Sequence, residues 1–176
     1  MRLATLVLVV LAGLLAPVPA QAATEIHSHR GGPIAGGAPV TPEDTQEAFE
    51  YGHSIGTDVV ELDAKLSSDR VPVIIHDATL DRTTDCAGQV AQKSAAELGA
   101  CHVDILGTDT NIKQVPGSTV AIPKLADVLA WAKANGVKLN LEIKNQPTDP
   151  DYDGSPRFAT SIDPLFDCAR VRNEVR

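Results

Sequence analysis

Asp58-Val59-Val60-Glu61-Leu62-Asp63-Ala64-Lys65-Leu66, the polar turn Ser67-Ser68-Asp69-Arg70 and the run Val71-Pro72-Val73-Ile74-Ile75-His76 decide how this chain folds. In the first run Glu61 and Asp63 are two apart, so on a strand both point to one face while Leu62 points to the other. The second run is apolar nearly throughout, as expected of a strand buried on both faces. The link between them is too short for a crossover helix, and two geometries stay open. Residues 64–70 can return the chain to the opposite rim of a parallel sheet, a reach of about 23 Å. Alternatively the two strands form a hairpin centred near Asp69, which sets Glu61 opposite His76 or Asp77. Either path brings His76 to the carboxylates.

Working outward, residues 25–29 read as a strand and residues 31–40 as a Gly/Pro-rich loop. Thr41-Pro42 then reads as the N-cap and first residue of a helix with Ala48, Phe49, Gly52 and Ile55 on its apolar stripe. Ser94 and Glu97 have the spacing of a capping box. Residues 123–135 form an amphipathic helix with Leu125, Val128, Leu129 and Ala132 on one face, ended by Gly136. Residues 138–143 are the next strand. A last helix is expected over residues 155–172, amphipathic through Phe158, Ile162, Leu165 and Phe166 despite Pro164. This order predicts α/β architecture with about four strands, half of a TIM-like parallel barrel. A complete barrel takes about 250 residues, against 176 in this sequence. The domain, residues 24–176, is therefore expected to be C-terminally incomplete. If it stood alone, its open strand edges would favour self-association.

Residues 1–23 place Arg2 before an apolar run and Ala20-Gln21-Ala22, the order of a secretory signal peptide. A secreted or periplasmic protein is expected, with no stable membrane anchor after cleavage. The formal net charge of −8 disfavours nucleic acid as a partner. Aromatic residues make up 3% of the chain, so a hydrophobic membrane-docking surface is not evident. In an oxidising compartment Cys86 and Cys101 are the expected disulfide, which leaves Cys168 without a partner.

Titratable residues end each strand: His29-Arg30, Glu61 with Asp63, His76-Asp77, and Glu142 with Lys144. Strand C-termini of a parallel sheet share one rim, so these residues converge there. Two carboxylates on one face repel unless a cation lies between them. With Glu142 added, three hard oxygen donors suit one divalent cation, Ca2+ or Mg2+, better than zinc. Plainer roles compete with these. Arg30 can pair with Asp77 and Lys144 with Glu142 as structural salt bridges. Glu43, in the first turn of the expected helix, would favour the macrodipole in any protein. Residues 81–83 are expected to order the loop after the third strand, and His27, His53 and His102 to be surface residues.

His29-Arg30-Gly31, Pro42-Glu43-Asp44-Thr45, Glu61-Leu62-Asp63, His76-Asp77 with Leu80-Asp81-Arg82-Thr83-Thr84, Ile122-Pro123 with Leu125, and Glu142-Ile143-Lys144 resemble the glycerophosphodiester phosphodiesterases in identity, order and spacing. The resemblance covers residues 26–145. It implies that His29 and His76 are the general acid/base pair, that Glu61, Asp63 and Glu142 hold the cation, and that Arg30 and Lys144 contact the phosphate. Glu43 would lie at the edge of the site. The implied reaction is hydrolysis of a small glycerophosphodiester to glycerol 3-phosphate and an alcohol. One position departs from the pattern: Asp44 stands where the family usually has Asn. Attack at phosphorus gathers negative charge that a cation, Arg30 and Lys144 can neutralise. Imidazoles titrating near neutrality suit deprotonation of the nucleophile, water or a neighbouring substrate hydroxyl, and protonation of the departing alkoxide. The rivals are a phospholipase-D-like or sphingomyelinase-D-like activity on intact lipid, and a non-catalytic half-barrel remnant or binding module.

Overall fold

The computed structural model describes residues 24–32, 34–36, 38–103 and 119–169. The signal segment expected over residues 1–23, the side chain of Cys168 and the last turn of the helix expected to reach residue 172 lie outside the described residues.

The alternating run forms β4 (Val59–Leu66), the hub of a four-stranded sheet. It pairs in parallel with β1 (His27–Ser28) and with β6 (Leu139–Ile143), and antiparallel with β5 (Pro72–Ile74). The link is therefore the hairpin. Ala64 faces Ile74, Lys65 faces Val73 and Leu66 faces Pro72, which centres the turn on Asp69. Ser67 and Val71 close it with hydrogen bonds in both directions. The Asp69 carboxylate accepts from Ser67 Oγ at 2.6 Å and from the Ala95 N–H at 2.8 Å, so the tip is fastened to α2 (Ala95–Leu98).

Period two sorts β4 into two environments. Val60, Leu62 and Ala64 enter a core with Phe49 of α1 (Gln46–Ser54), Leu125, Val128 and Leu129 of α3 (Leu125–Asn135), and Phe158 and Ile162 of α4 (Arg157–Ala169). Short β5 serves two cores, with Ile74 in this one and Val73 in a second. That second core includes Ile75, Leu80, Val90, Leu98 and Val103, under a lobe closed by the Cys86–Cys101 disulfide. The run is thus buried on both faces as expected. The capping box at Ser94 and Glu97 and the left-handed Gly136 that ends α3 are also present.

Several expectations are corrected. The loop over residues 31–40 contains a small ribbon, β2 (Ile34–Ala35) against β3 (Ala38–Pro39). The first helix begins at Gln46, and its cap is Thr45 instead of Thr41. Thr45 Oγ1 donates to the Pro42 carbonyl at 2.7 Å and accepts from the Ala48 N–H at 3.2 Å. Helix cannot begin earlier because Asp44 has φ +56°, a left-handed turn that points the 43–44 side chains inward. Glu43 therefore precedes the helix, and its burial has nothing to do with a macrodipole. Ile55 sits at the helix C-cap and is exposed, outside the core-facing stripe.

The disulfide closes a loop of 15 residues in sequence separation. Replacing both cysteines by serine is expected to cost about 3 kcal/mol in urea unfolding, with the far-ultraviolet spectrum of the folded state retained.

Candidate active site

After β1 the chain turns through His29–Gly31, with Arg30 at φ +51°. That left-handed turn aims the Arg30 N–H at Glu61 Oε2, 2.7 Å away. The turn can be this close to α1 because residue 31 is glycine: a Cβ there would lie 2.6 Å from Ala48 Cβ. The Arg30 guanidinium reaches Glu43 Oε1 at 2.9 Å and Asp63 Oδ2 at 3.2 Å. Lys144 follows β6 and reaches Glu142 Oε1 at 2.7 Å and Asp63 Oδ1 at 3.4 Å. Parallel register sets Asp63 beside Glu142, on the face of β4 away from the apolar core.

Asp63 is fully buried, yet neither of its oxygens accepts an aligned hydrogen bond, and Arg30 Nε makes none. Each oxygen is instead faced by a cation, Arg30 Nε at 3.2 Å and Lys144 Nζ at 3.4 Å. Oxygens of Glu61, Asp63 and Glu142 all lie within 4.8 Å of one another. A converging set of three carboxylates, one of them fully buried, fits a hard divalent cation. Among the described residues a second trio of possible ligands, Asp85 with Cys86 and Cys101, has its sulfurs committed to the disulfide.

Electrostatics divide the carboxylates into two groups. Burial raises the pKa of Glu61; the Arg30 N–H opposes this, and repulsion from Asp63 and Glu142 adds to it. Asp44 is raised well above its ordinary value by complete burial and then by Asp63 and Glu43. Its Oδ1 accepts from the Asp63 N–H at 3.2 Å. For Glu43 burial acts upward but is outweighed by Arg82 and Arg30, which hold it low. Burial likewise fails to raise Asp77, which His76 and Arg82 hold far below the usual carboxylate range. Lys144 is raised, because Glu142 and Asp63 outweigh the desolvation of its ammonium.

His76 lies in the segment after β5, with Nδ1 2.7 Å from Asp77 Oδ1. An ionised carboxylate only accepts, so Nδ1 carries the proton and Nε2 is left for chemistry. Arg82 spans Asp77 (2.6 Å) and Glu43 (2.6 Å), tying the His76 segment to the Arg30 turn. The alternative Arg30–Asp77 pair does not form, since Arg82 occupies Asp77; the Lys144–Glu142 pair does form. Arg82 orders its loop as expected, but its bridge to Glu43, 39 positions away, has no local sequence signal. His29 is exposed and contributes favourable charge at Glu61. The structure thus gathers Arg30, Glu43, Glu61, Asp63, Glu142 and Lys144 directly, and His76 through Asp77 and Arg82. His102 is exposed and paired with Asp85.

The α/β fold with its mainly parallel sheet is TIM-barrel-like, as solved structures of the same fold show, and its acidic residues meet on one face of β4 and β6. The chain belongs to the glycerophosphoryl diester phosphodiesterase family, whose model matches residues 29–169. It is 38% identical over 122 residues to YqiK, an uncharacterised protein of Bacillus subtilis, covering 69% of this chain and 46% of that protein. To the glycerophosphodiester phosphodiesterase of Bacillus altitudinis it is 33% identical over 123 residues, covering 69% of this chain and 46% of the relative. A phosphodiesterase of Oleispira antarctica, solved with the product sn-glycerol-3-phosphate, superposes with a TM-score of 0.65 at 23% identity, over 86% of this chain and 55% of that one. The last likeness is one of fold. The chain spans about half the length of the curated relatives it matches.

Two outcomes are expected. Ca2+ or Mg2+ at about 100 times its dissociation constant should stabilise the chain by about 2.7 kcal/mol. The rise in melting temperature should be reversed by chelation and absent in Asp63→Asn. Glu43→Gln should cost about 3 kcal/mol at pH 7, because Arg30 and Arg82 lose a buried partner. Since folding depresses the Glu43 pKa, its contribution is fully present above its ordinary value of 4.5 and is lost as pH falls through the folded value. Unfolding curves of variant and wild type should therefore converge in acid.

Proposed function

We propose that this chain hydrolyses small glycerophosphodiesters to glycerol 3-phosphate and an alcohol, using a divalent cation at Glu61, Asp63 and Glu142. The observation that carries this is the buried Asp63 carboxylate, unfilled by hydrogen bonds, between two basic side chains and beside two further carboxylates. The one-third identity to the Bacillus altitudinis enzyme supports the same reading.

When bound, the cation supplies positive charge that polarises a phosphoryl oxygen. Arg30 and Lys144 add fixed positive charge where the reacting phosphate gathers negative charge. Both side chains are mostly buried, with 13% and 17% exposure, so little water screens them. His29 and His76 form the acid/base pair: one takes the proton from the attacking hydroxyl or water, and the other gives a proton to the departing alkoxide. Asp77 holds the His76 tautomer that leaves Nε2 at work. Glu43 positions Arg30. Residues 1–23 act as a secretory signal, and the protein works outside the cytoplasm, a placement that the Cys86–Cys101 disulfide supports.

The test is release of glycerol 3-phosphate from glycerophosphocholine by the purified chain, with and without Ca2+ or Mg2+. Cation-dependent release is expected, falling by about 10²–10⁴ in His29→Ala and in His76→Ala. Release that survives both substitutions, or that ignores chelation, would sink the mechanism. No release at any cation concentration would favour a binding module.

A further inference from the structure

An open groove of ≈ 370 Å³ runs between the segment after β5 and the segment after β6. Two of its lining residues, His76 and Lys144, belong to the site described above, so the groove continues directly from it. One wall carries Thr79 and Gln89, paired in a backbone bridge at the edge of the disulfide-closed lobe. The other carries Asp149 and Asp151, and Lys65 also lines the groove.

The charges here are unequally compensated. Lys65, with 3% of its side chain exposed, bonds both Asp151 oxygens at 2.9 and 3.0 Å and the Lys144 carbonyl at 3.1 Å. Asp151 is thereby neutralised. Asp77 is matched by Arg82, and Lys144 by Glu142 and Asp63. Asp149 is different. Its Oδ2 accepts the Gln146 N–H at 2.7 Å, which fixes the carboxylate in a turn, but it has no basic partner among the described residues. Among the described residues the groove therefore carries one carboxylate with no ion-pair partner, and Thr79 and Gln89 also line it.

We propose that this groove is the subsite for the alcohol part of the substrate and that Asp149 selects alcohols carrying a primary ammonium group. This rests on the reaction proposed above. Among the lining residues there is no Trp, Tyr or Phe. A quaternary ammonium, which is recognised chiefly by aromatic faces, has little to bind there. A primary ammonium can donate hydrogen bonds to Asp149 and to the Thr79 hydroxyl, while the Gln89 side-chain oxygen already accepts from Gln92 Nε2 at 3.1 Å. The groove thus ranks an ethanolamine diester above its choline and glycerol counterparts.

Binding separates this from turnover. Calorimetry on the His29→Ala chain, with Ca2+ present, would compare glycerophosphoethanolamine, glycerophosphocholine and glycerophosphoglycerol, each with and without Asp149→Asn. The ethanolamine diester is expected to bind about three- to fivefold more tightly than the glycerol diester, the range of a partly exposed ion pair. Asp149→Asn should remove that preference, bringing the ethanolamine diester level with the glycerol diester, and an unchanged melting temperature reports that the variant is folded. Equal affinities, a preference that survives Asp149→Asn, or no binding of any diester would overturn the assignment. Wild-type turnover of the same three diesters is read separately. Asp149-dependent binding without turnover would sink the hydrolytic function and leave the subsite standing.

Discussion

Arg30 holds together parts of the chain that would otherwise repel or separate. Its guanidinium lies between Glu43 and Asp63, and its N–H is bonded to Glu61. Without that charge, Asp63 and Glu43 would be buried anions with much weaker compensation, a state that costs several kcal/mol per ion. The left-handed turn at residue 30, the glycine at 31 pressed against Ala48, and the left-handed Asp44 before α1 all serve to keep backbone and guanidinium there. Strain in this short segment is thus held in place by the charges it brings together.

Around that point the protein is built from two apolar cores that meet at β5. The larger lies under the helices and fixes the outer face of β4, which forces Glu61, Asp63 and Lys65 to the other side. The smaller lies under the disulfide-closed lobe and fixes the segment bearing His76, Asp77 and Arg82. Arg82, bonded to both Asp77 and Glu43, joins the lobe to the Arg30 turn. A loss of packing in the smaller core should therefore be felt at His76 before it is felt at the carboxylates.

Carboxylates of opposite tendency sit side by side in this arrangement. Arg82 and Arg30 hold Glu43 ionised, and His76 with Arg82 holds Asp77 so, while Glu61 and Asp44 resist ionisation because burial and neighbouring anions act together. The first pair favours the folded state at neutral pH, and the second opposes it. Binding a cation would reverse the second contribution, which couples site occupancy to stability. Asp44 adds to this tension, and its acceptance of the Asp63 N–H is a role that an amide oxygen would also fill.

Local pattern was enough for much of this. The period of residues 58–66 set which face of β4 is acidic, the Ser94–Glu97 spacing set a cap, and the stripe through Leu125, Val128, Leu129 and Ala132 set a buried helix face. These are decided by neighbours within one or two turns of chain, so they are legible in one dimension. The candidate site residues were also legible, but not for the reason expected: Glu61 and Asp63 lie inside β4, which runs on to Leu66, and not at a strand end. The start of α1 was misplaced because Thr41-Pro42 is a sound local cap that a long-range demand overrides: Glu43 and Asp44 are drawn inward by Arg30, Arg82 and the Asp63 N–H. The choice between hairpin and crossover, the partner of Arg82, and the pairing that leaves Asp149 uncompensated depended on contacts between residues far apart in sequence. Ion pairs have no periodicity and act through space, so which charge meets which is settled only when the sheet and its loops have closed.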